Sequence, residues 1–185
     1  MKHASRNALR RNLMRLGVAA IVTTGGSCSS APLANRSPAE EAAKTFAEDR
    51  CEAPDVQETA LVPIFENGVV EASQPIYTAV TGMGAGAGGN YSQLIGASLK
   101  VTAIRGFTAE WLDRALECHS ARRVLGKIPE SWLPDDPFWL PGKTVDIEVA
   151  VDRAEFAVNV RGKNVNDAEA ILSRANHYVE AHGRR

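Results

Sequence analysis

The sequence predicts an α+β fold: an antiparallel sheet with its helices on one face. Three observations predict it. From residue 98 onward, apolar residues alternate with period two, then recur at helical spacing, then alternate twice more, then return to helical spacing. The last two alternating runs are separated only by Arg153-Ala154, a two-residue hairpin connection. A polar residue, Thr108 or Asn166, stands where each helical run begins and can cap it. The order strand–helix–strand–strand–helix is most simply built as one sheet covered by two helices.

The chain opens with Lys2, Arg6, Arg10, Arg11 and Arg15 and has no acid before residue 28. A short apolar run, Leu16–Val22, leads to Thr23-Thr24-Gly25-Gly26-Ser27-Cys28. A basic start, a short apolar middle and small residues before a cut are the plan of an export signal, read here over 1–27. No apolar run approaches the ~20 residues of a spanning helix. The full chain has a net charge of −1, with 21 Lys and Arg against 22 Asp and Glu. Loss of the leader's five cations leaves 16 against 22, a net charge of −6. That balance excludes a binder that works by neutralising nucleic-acid phosphates, and is poorly suited to an anionic lipid surface.

Arg10-Arg11-Asn12-Leu13-Met14-Arg15 resembles the twin-arginine export motif. Gly25-Gly26-Ser27-Cys28 resembles the lipobox of bacterial envelope lipoproteins, whose Cys sulfur takes a diacylglyceryl group and becomes the new N-terminus. The resemblance implies lipidation at Cys28, a polar tether over 28–36 and attachment to a lipid bilayer in the cell envelope. The competing reading is ordinary cleavage near Cys28 or Ala34 and release as a periplasmic or secreted chain. With Cys28 acylated, Cys51 and Cys118 are an even remainder, which in an exported chain favours a disulfide. The alternative is two separate buried thiols.

Ser37-Pro38-Ala39-Glu40 is a capping box with proline at the first helical position, predicting a helix from Pro38 to about Cys51. Ala60–Phe65 and Val69-Val70 flank Glu66-Asn67-Gly68, a hairpin turn signal. Residues 37–73 therefore read as a helix plus a hairpin, with Pro63 confining its strand to an edge. Gly84-x-Gly86-x-x-Gly89 has the spacing of a phosphate-binding turn. No strong helix follows it, because Asn90–Ala97 is short and contains Gly96, and the absence of a following Gly-Lys-Ser/Thr excludes a P-loop. Segment 74–91 reads as a Gly-rich linker.

The compact domain then spans 92–185. Ser98–Ile104 is a strand, and Thr108 caps a helix from Ala109 to about Val124. Thr144–Val151 turns Val145, Ile147, Val149 and Val151 inward, with Asp146, Glu148 and Asp152 outward. Glu155–Arg161 turns Phe156, Val158 and Val160 inward. The two-residue turn pairs Val151 with Phe156, Val149 with Val158 and Asp146 with Arg161. Asn166 and Glu169 cap a last helix, Asp167 to about Ala181, striped by Ala168, Ile171, Leu172, Ala175, Tyr178 and Val179. The whole is a ferredoxin-like half-sandwich. The strand, Gly106-Phe107-Thr108 and helix resemble heavy-metal-associated domains. The likeness is one of topology: Ala109 and Leu112 stand where that family has its metal-binding cysteines, so no metal site is implied.

Two constellations could carry chemistry. Cys118 and His119 are adjacent on a helix, and adjacent helical residues point ~100° apart, whereas chelating pairs sit three or four apart. His119 falls in the apolar stripe and reads as a core histidine hydrogen-bonded within the domain. The alternative is a metal- or thiol-handling site of Cys51, Cys118 and His119. Ser131–Gly142 packs Trp132, Phe138 and Trp139 among prolines, beside Asp135 and Asp136. It is either a rigid contact loop for a peptide or carbohydrate or a proline-stiffened connection whose aromatics close the core. Gly-x-Ser-x-Gly, His-Glu-x-x-His and Cys-x-x-Cys are absent from the sequence. The layout resembles small bacterial envelope lipoproteins of unassigned function. The expectation is a non-enzymatic, envelope-anchored binding or structural domain without a cofactor or metal. Its partner would be a protein or peptide rather than nucleic acid.

Overall fold

The computed structural model describes residues 36–52, 57–66, 69–81 and 90–183. The expected export leader over 1–27, the expected tether with Cys28 as far as residue 35, and the glycine run at 82–89 lie outside the described residues. The described residues belong to one unit, an α+β fold with a four-stranded antiparallel sheet.

Helix α1 (Pro38–Arg50) begins at the capping box. The Ser37 hydroxyl accepts from the Glu40 backbone N–H at 3.2 Å, and the Glu40 carboxylate accepts from the Ser37 N–H at 2.8 Å. Two donors that the helix leaves unpaired are thereby satisfied reciprocally.

The hairpin expected around residues 60–71 is corrected. A 3-10 turn at Glu58–Ala60 leads into a short helix, α2 (Val62–Glu66). Leu61, Ile64 and Phe65 stand at helical spacing, and all three are buried. Pro63 in the first turn forfeits no helical bond, because the N–H it lacks would have had no partner there.

The linker expected over 74–91 is corrected in part. Strand β1 (Val70–Thr81) and strand β2 (Asn90–Thr102) take up residues 74–81 and 90–91, and they pair antiparallel. Helix α3 (Ala109–Val124) is capped by Thr108, whose hydroxyl accepts from the Trp111 N–H at 3.2 Å. Strands β3 (Asp146–Asp152) and β4 (Glu155–Arg161) pair with Val151 opposite Phe156 and Asp146 opposite Arg161. Val151, expected inward, is 67% exposed at the end of the ladder. Helix α4 (Val165–His182) is capped by Asn164 rather than Asn166. The Asn164 side chain accepts from the Asp167 N–H at 3.0 Å.

The sheet order is β1-β2-β4-β3. Strands β2 and β3 flank β4, with α3 as their crossover, and β1 supplies the remaining edge from the N-terminal side. At Gly96 the sheet is too tight for a side chain: a Cβ there would lie 1.9 Å from the Val160 carbonyl oxygen. Helices α3 and α4 pack on the sheet, and α1 packs on α3. Leu112, Leu116, Ile171, Ala175 and Tyr178 meet Leu99, Val101, Val158 and Val160 in one core that also takes in α2. The Tyr178 hydroxyl donates to the Phe65 carbonyl at 3.0 Å, joining α4 to α2.

Candidate functional site

The chemistry-bearing residues converge at the C-terminal half of α3. Its turns present Cys118, His119, Arg122 and Arg123 in succession. Cys118 is bonded to Cys51, just past the end of α1, with an S–S distance of 2.10 Å and Cα atoms 5.5 Å apart. The Cα separation is ordinary for a disulfide.

His119 is fully buried. Its Nδ1 lies 2.7 Å from the Glu58 carboxylate and its Nε2 lies 2.7 Å from the Asp136 carboxylate. Both ring nitrogens face acceptors, which suits an imidazolium donating twice. Asp136 is also fully buried, and it accepts from Arg123 Nε at 3.0 Å and from the Phe138 N–H at 2.9 Å. Arg123 spends its other donors on the carbonyls of Pro129 at 2.6 Å and Leu133 at 2.8 Å. Arg122 joins Glu58 at 3.1 Å to the Cys51 carbonyl at 2.9 Å.

The electrostatics follow from this geometry. Burial alone would push His119 toward its neutral form. The charge and hydrogen bond of Asp136, then those of Glu58, outweigh it and raise its pKa to about 9. Burial likewise opposes the charge on Asp136. The facing imidazolium, the Phe138 N–H and Arg123 together hold its pKa below the ordinary aspartate value. Tyr178 is pushed up, by burial first and by Asp136 second.

What this cluster can do is bounded by its closure. A general base needs a lone pair within reach of a substrate proton, and His119 has both nitrogens engaged in the core. A thiol reaction needs a free sulfur, and both sulfurs are bonded to each other. Among the described residues, no group of three or more His, Cys, Asp and Glu is arranged to hold a metal ion. The cluster instead ties the 57–66 segment, α3 and the 129–140 loop together through charge-assisted hydrogen bonds.

The residues suggested as a contact loop separate into two sets. Asp136 and Phe138 are fully buried and Trp139 is nearly so, which is the arrangement of the second alternative, a proline-stiffened connection whose aromatics close the core. The reason is physical: Trp139 is covered by the guanidinium carbons of Arg123 at 4.5 Å and Arg174 at 5.4 Å. Phe138 stacks toward Phe65 at 5.9 Å. Trp132 is 39% exposed, with its ring edge-on to Phe65 at 5.5 Å. Asp135 is partly exposed, 3.9 Å from His177 Nδ1. Glu58, Arg122, Arg123 and Arg174 were missed from the sequence. His119 and Arg123 are four apart on α3, which places them on one helix face and was a legible sign. Glu58 carries no such sign.

A groove of about 210 Å³ runs between α1 and α3, lined by Ala42, Phe46, Glu117, Ala121, Val124 and Val145 among others. Glu117 has its pKa raised, by burial first and then by the charges of Asp113 and Asp146. Its polar lining residues are Glu117, Ser120 and Thr144. No helix among the described residues is long and apolar enough to cross a membrane. No protein-family model, curated protein or solved structure matches the chain.

Proposed function

We propose that this chain is an envelope-anchored, non-enzymatic lipoprotein domain with a binding or structural role, held to a bilayer through acylated Cys28. The observation that carries the reading is the Cys51–Cys118 bond. Disulfides persist in oxidising compartments, which agrees with an export leader, and the lipobox resemblance assigns the remaining cysteine, Cys28, to acylation. The closed His119 cluster adds to this, because its polar groups spend their bonds on each other. A metal- or thiol-handling protein would need sulfur and imidazole lone pairs that the same bonds occupy.

The test is the intact mass of the mature protein from the envelope fraction, before and after reduction and alkylation. The expected chain begins at Cys28, carries acyl mass, and takes alkyl groups at Cys51 and Cys118 only after reduction. A chain without acyl mass and with both cysteines alkylated before reduction would overturn the reading in favour of thiol or metal chemistry.

A further inference from the structure

We infer that the groove between α1 and α3 is a binding site for a small amine, a protonated nitrogen carried on an apolar body of about one aromatic ring. The first observation is the lining. Glu117, Ser120, Ala121 and Val124 recur three and four positions apart, so one face of α3 turns all four toward the groove. Ala43 and Phe46 form the α1 wall, and Thr144 and Val145 close the side next to β3. An apolar lining with a few polar groups is the ordinary make-up of a small-molecule site. The volume of about 210 Å³ exceeds the roughly 150 Å³ of a cavity that holds benzene. It is below the several hundred Å³ of a drug-sized site, so the body is a single ring or a short chain.

The second observation is polar capacity that the fold does not use. Ser120 is only 6% exposed, yet among the described residues its hydroxyl has no hydrogen-bond partner. The same holds for the Glu117 carboxylate and the Thr144 hydroxyl. Polar groups this deep in a folded chain are as a rule paired. All three can accept, and an ammonium group donates three times and accepts nothing.

The third observation is charge, which selects the occupant. Asp113 lies one turn before Glu117 on α3, and Asp146 follows Val145. Burial first, then the charges of Asp113 and Asp146, disfavour the ionised form of Glu117. The opposing cation is Arg50, which is exposed and lies over the Phe46 ring at 5.7 Å. Arg161 meets part of the Asp146 charge across the ladder. A cation against Glu117 offsets the repulsion among these acids, and an anion adds to it. An added strand is not the occupant, because Asp113 already accepts from the Val149 N–H of β3 at 3.0 Å. The site goes beyond the envelope reading and does not depend on acylation of Cys28, since its residues lie between Ala42 and Val149.

Titration of the mature chain with phenethylamine and with phenethyl alcohol tests this, any detergent being matched throughout. The two probes share a body and differ in charge. Binding is read from the NMR methyl signals of Ala43, Ala121 and Val124, which line the groove. The amine is expected to saturate those shifts at about millimolar concentration or below, and the alcohol to bind at least about tenfold more weakly. Glu117→Gln should remove the difference between the probes. Ala42→Trp, on the exposed rim of α1, should block both. An unchanged Cys51–Cys118 bond and circular dichroism spectrum would show that both variants fold. Equal binding of amine and alcohol to the wild type, no saturation by the amine, or binding that survives Ala42→Trp overturns the inference. So does a short peptide with one lysine between alanines that binds more tightly than the amine, which would make the occupant a protein.

Discussion

Trp132 and Trp139 lie seven positions apart in one proline-stiffened loop, yet they have different jobs. Trp139 fills a buried slot under two guanidinium groups, and Trp132 leans on Phe65 with its outer edge in water. Trp139→Ala would leave a cavity and uncover Arg123, at a cost of roughly 3–5 kcal/mol. Trp132→Ala removes a half-exposed ring and should cost less than half as much. Urea unfolding of the two variants checks the difference; equal losses would mean that Trp132 is as much a core residue as Trp139. The sequence showed three large aromatics beside two acids but not which faced inward. That choice is made by Arg123 and Arg174, which reach the loop from two different helices.

At the scale of elements, the helices that carry their own caps were legible. The Ser37–Glu40 box and the Thr108 cap involve residues three apart, so local sequence specifies them. The β3–β4 register was legible because both strands alternate strongly around a two-residue turn. Strand β1 was not, because Ala72, Ser73, Thr78 and Ala79 offer little apolar contrast between its faces. Helix α2 was misread because Pro63 and a turn signal outweighed the three-residue spacing of Leu61 and Ile64. Helix α1 fully buries only Ala43 and packs Phe46 and Ala47 partly against the core, so the disulfide beyond its end adds to its attachment. The Cys51→Ser, Cys118→Ser double variant opens a separation of 67 residues, and the chain-entropy model predicts a loss of about 4 kcal/mol. Amide hydrogen exchange should rise first in Pro38–Arg50. Unchanged protection there would show that packing on α3 suffices.

For the whole molecule, the buried charge network sets the dependence of stability on pH. His119 titrates at about 9 when folded against an ordinary value of 6.5. Its contribution is complete below pH 6.5 and is lost as pH rises through 9, at no more than about 1.4 kcal/mol per pH unit. Asp136 has a lowered pKa, so its contribution is present above the ordinary aspartate value and is lost in acid. Stability should therefore be greatest at mildly acidic pH. The melting temperature should fall between pH 6.5 and 9, and His119→Gln should flatten that decline. An identical decline in the variant would place the alkaline sensitivity elsewhere.

The sequence by itself determined the α+β class, the capped starts of α1 and α3 and the β3–β4 register. Each depends on neighbours a few residues apart or on a strict alternation. Only the tertiary structure decided that β1 completes the sheet, that residues 62–66 are helical and that Glu58 meets His119 across 61 positions. Those outcomes depend on which buried surfaces and charges find each other once the chain has collapsed. Local propensity and spacing do not encode that choice.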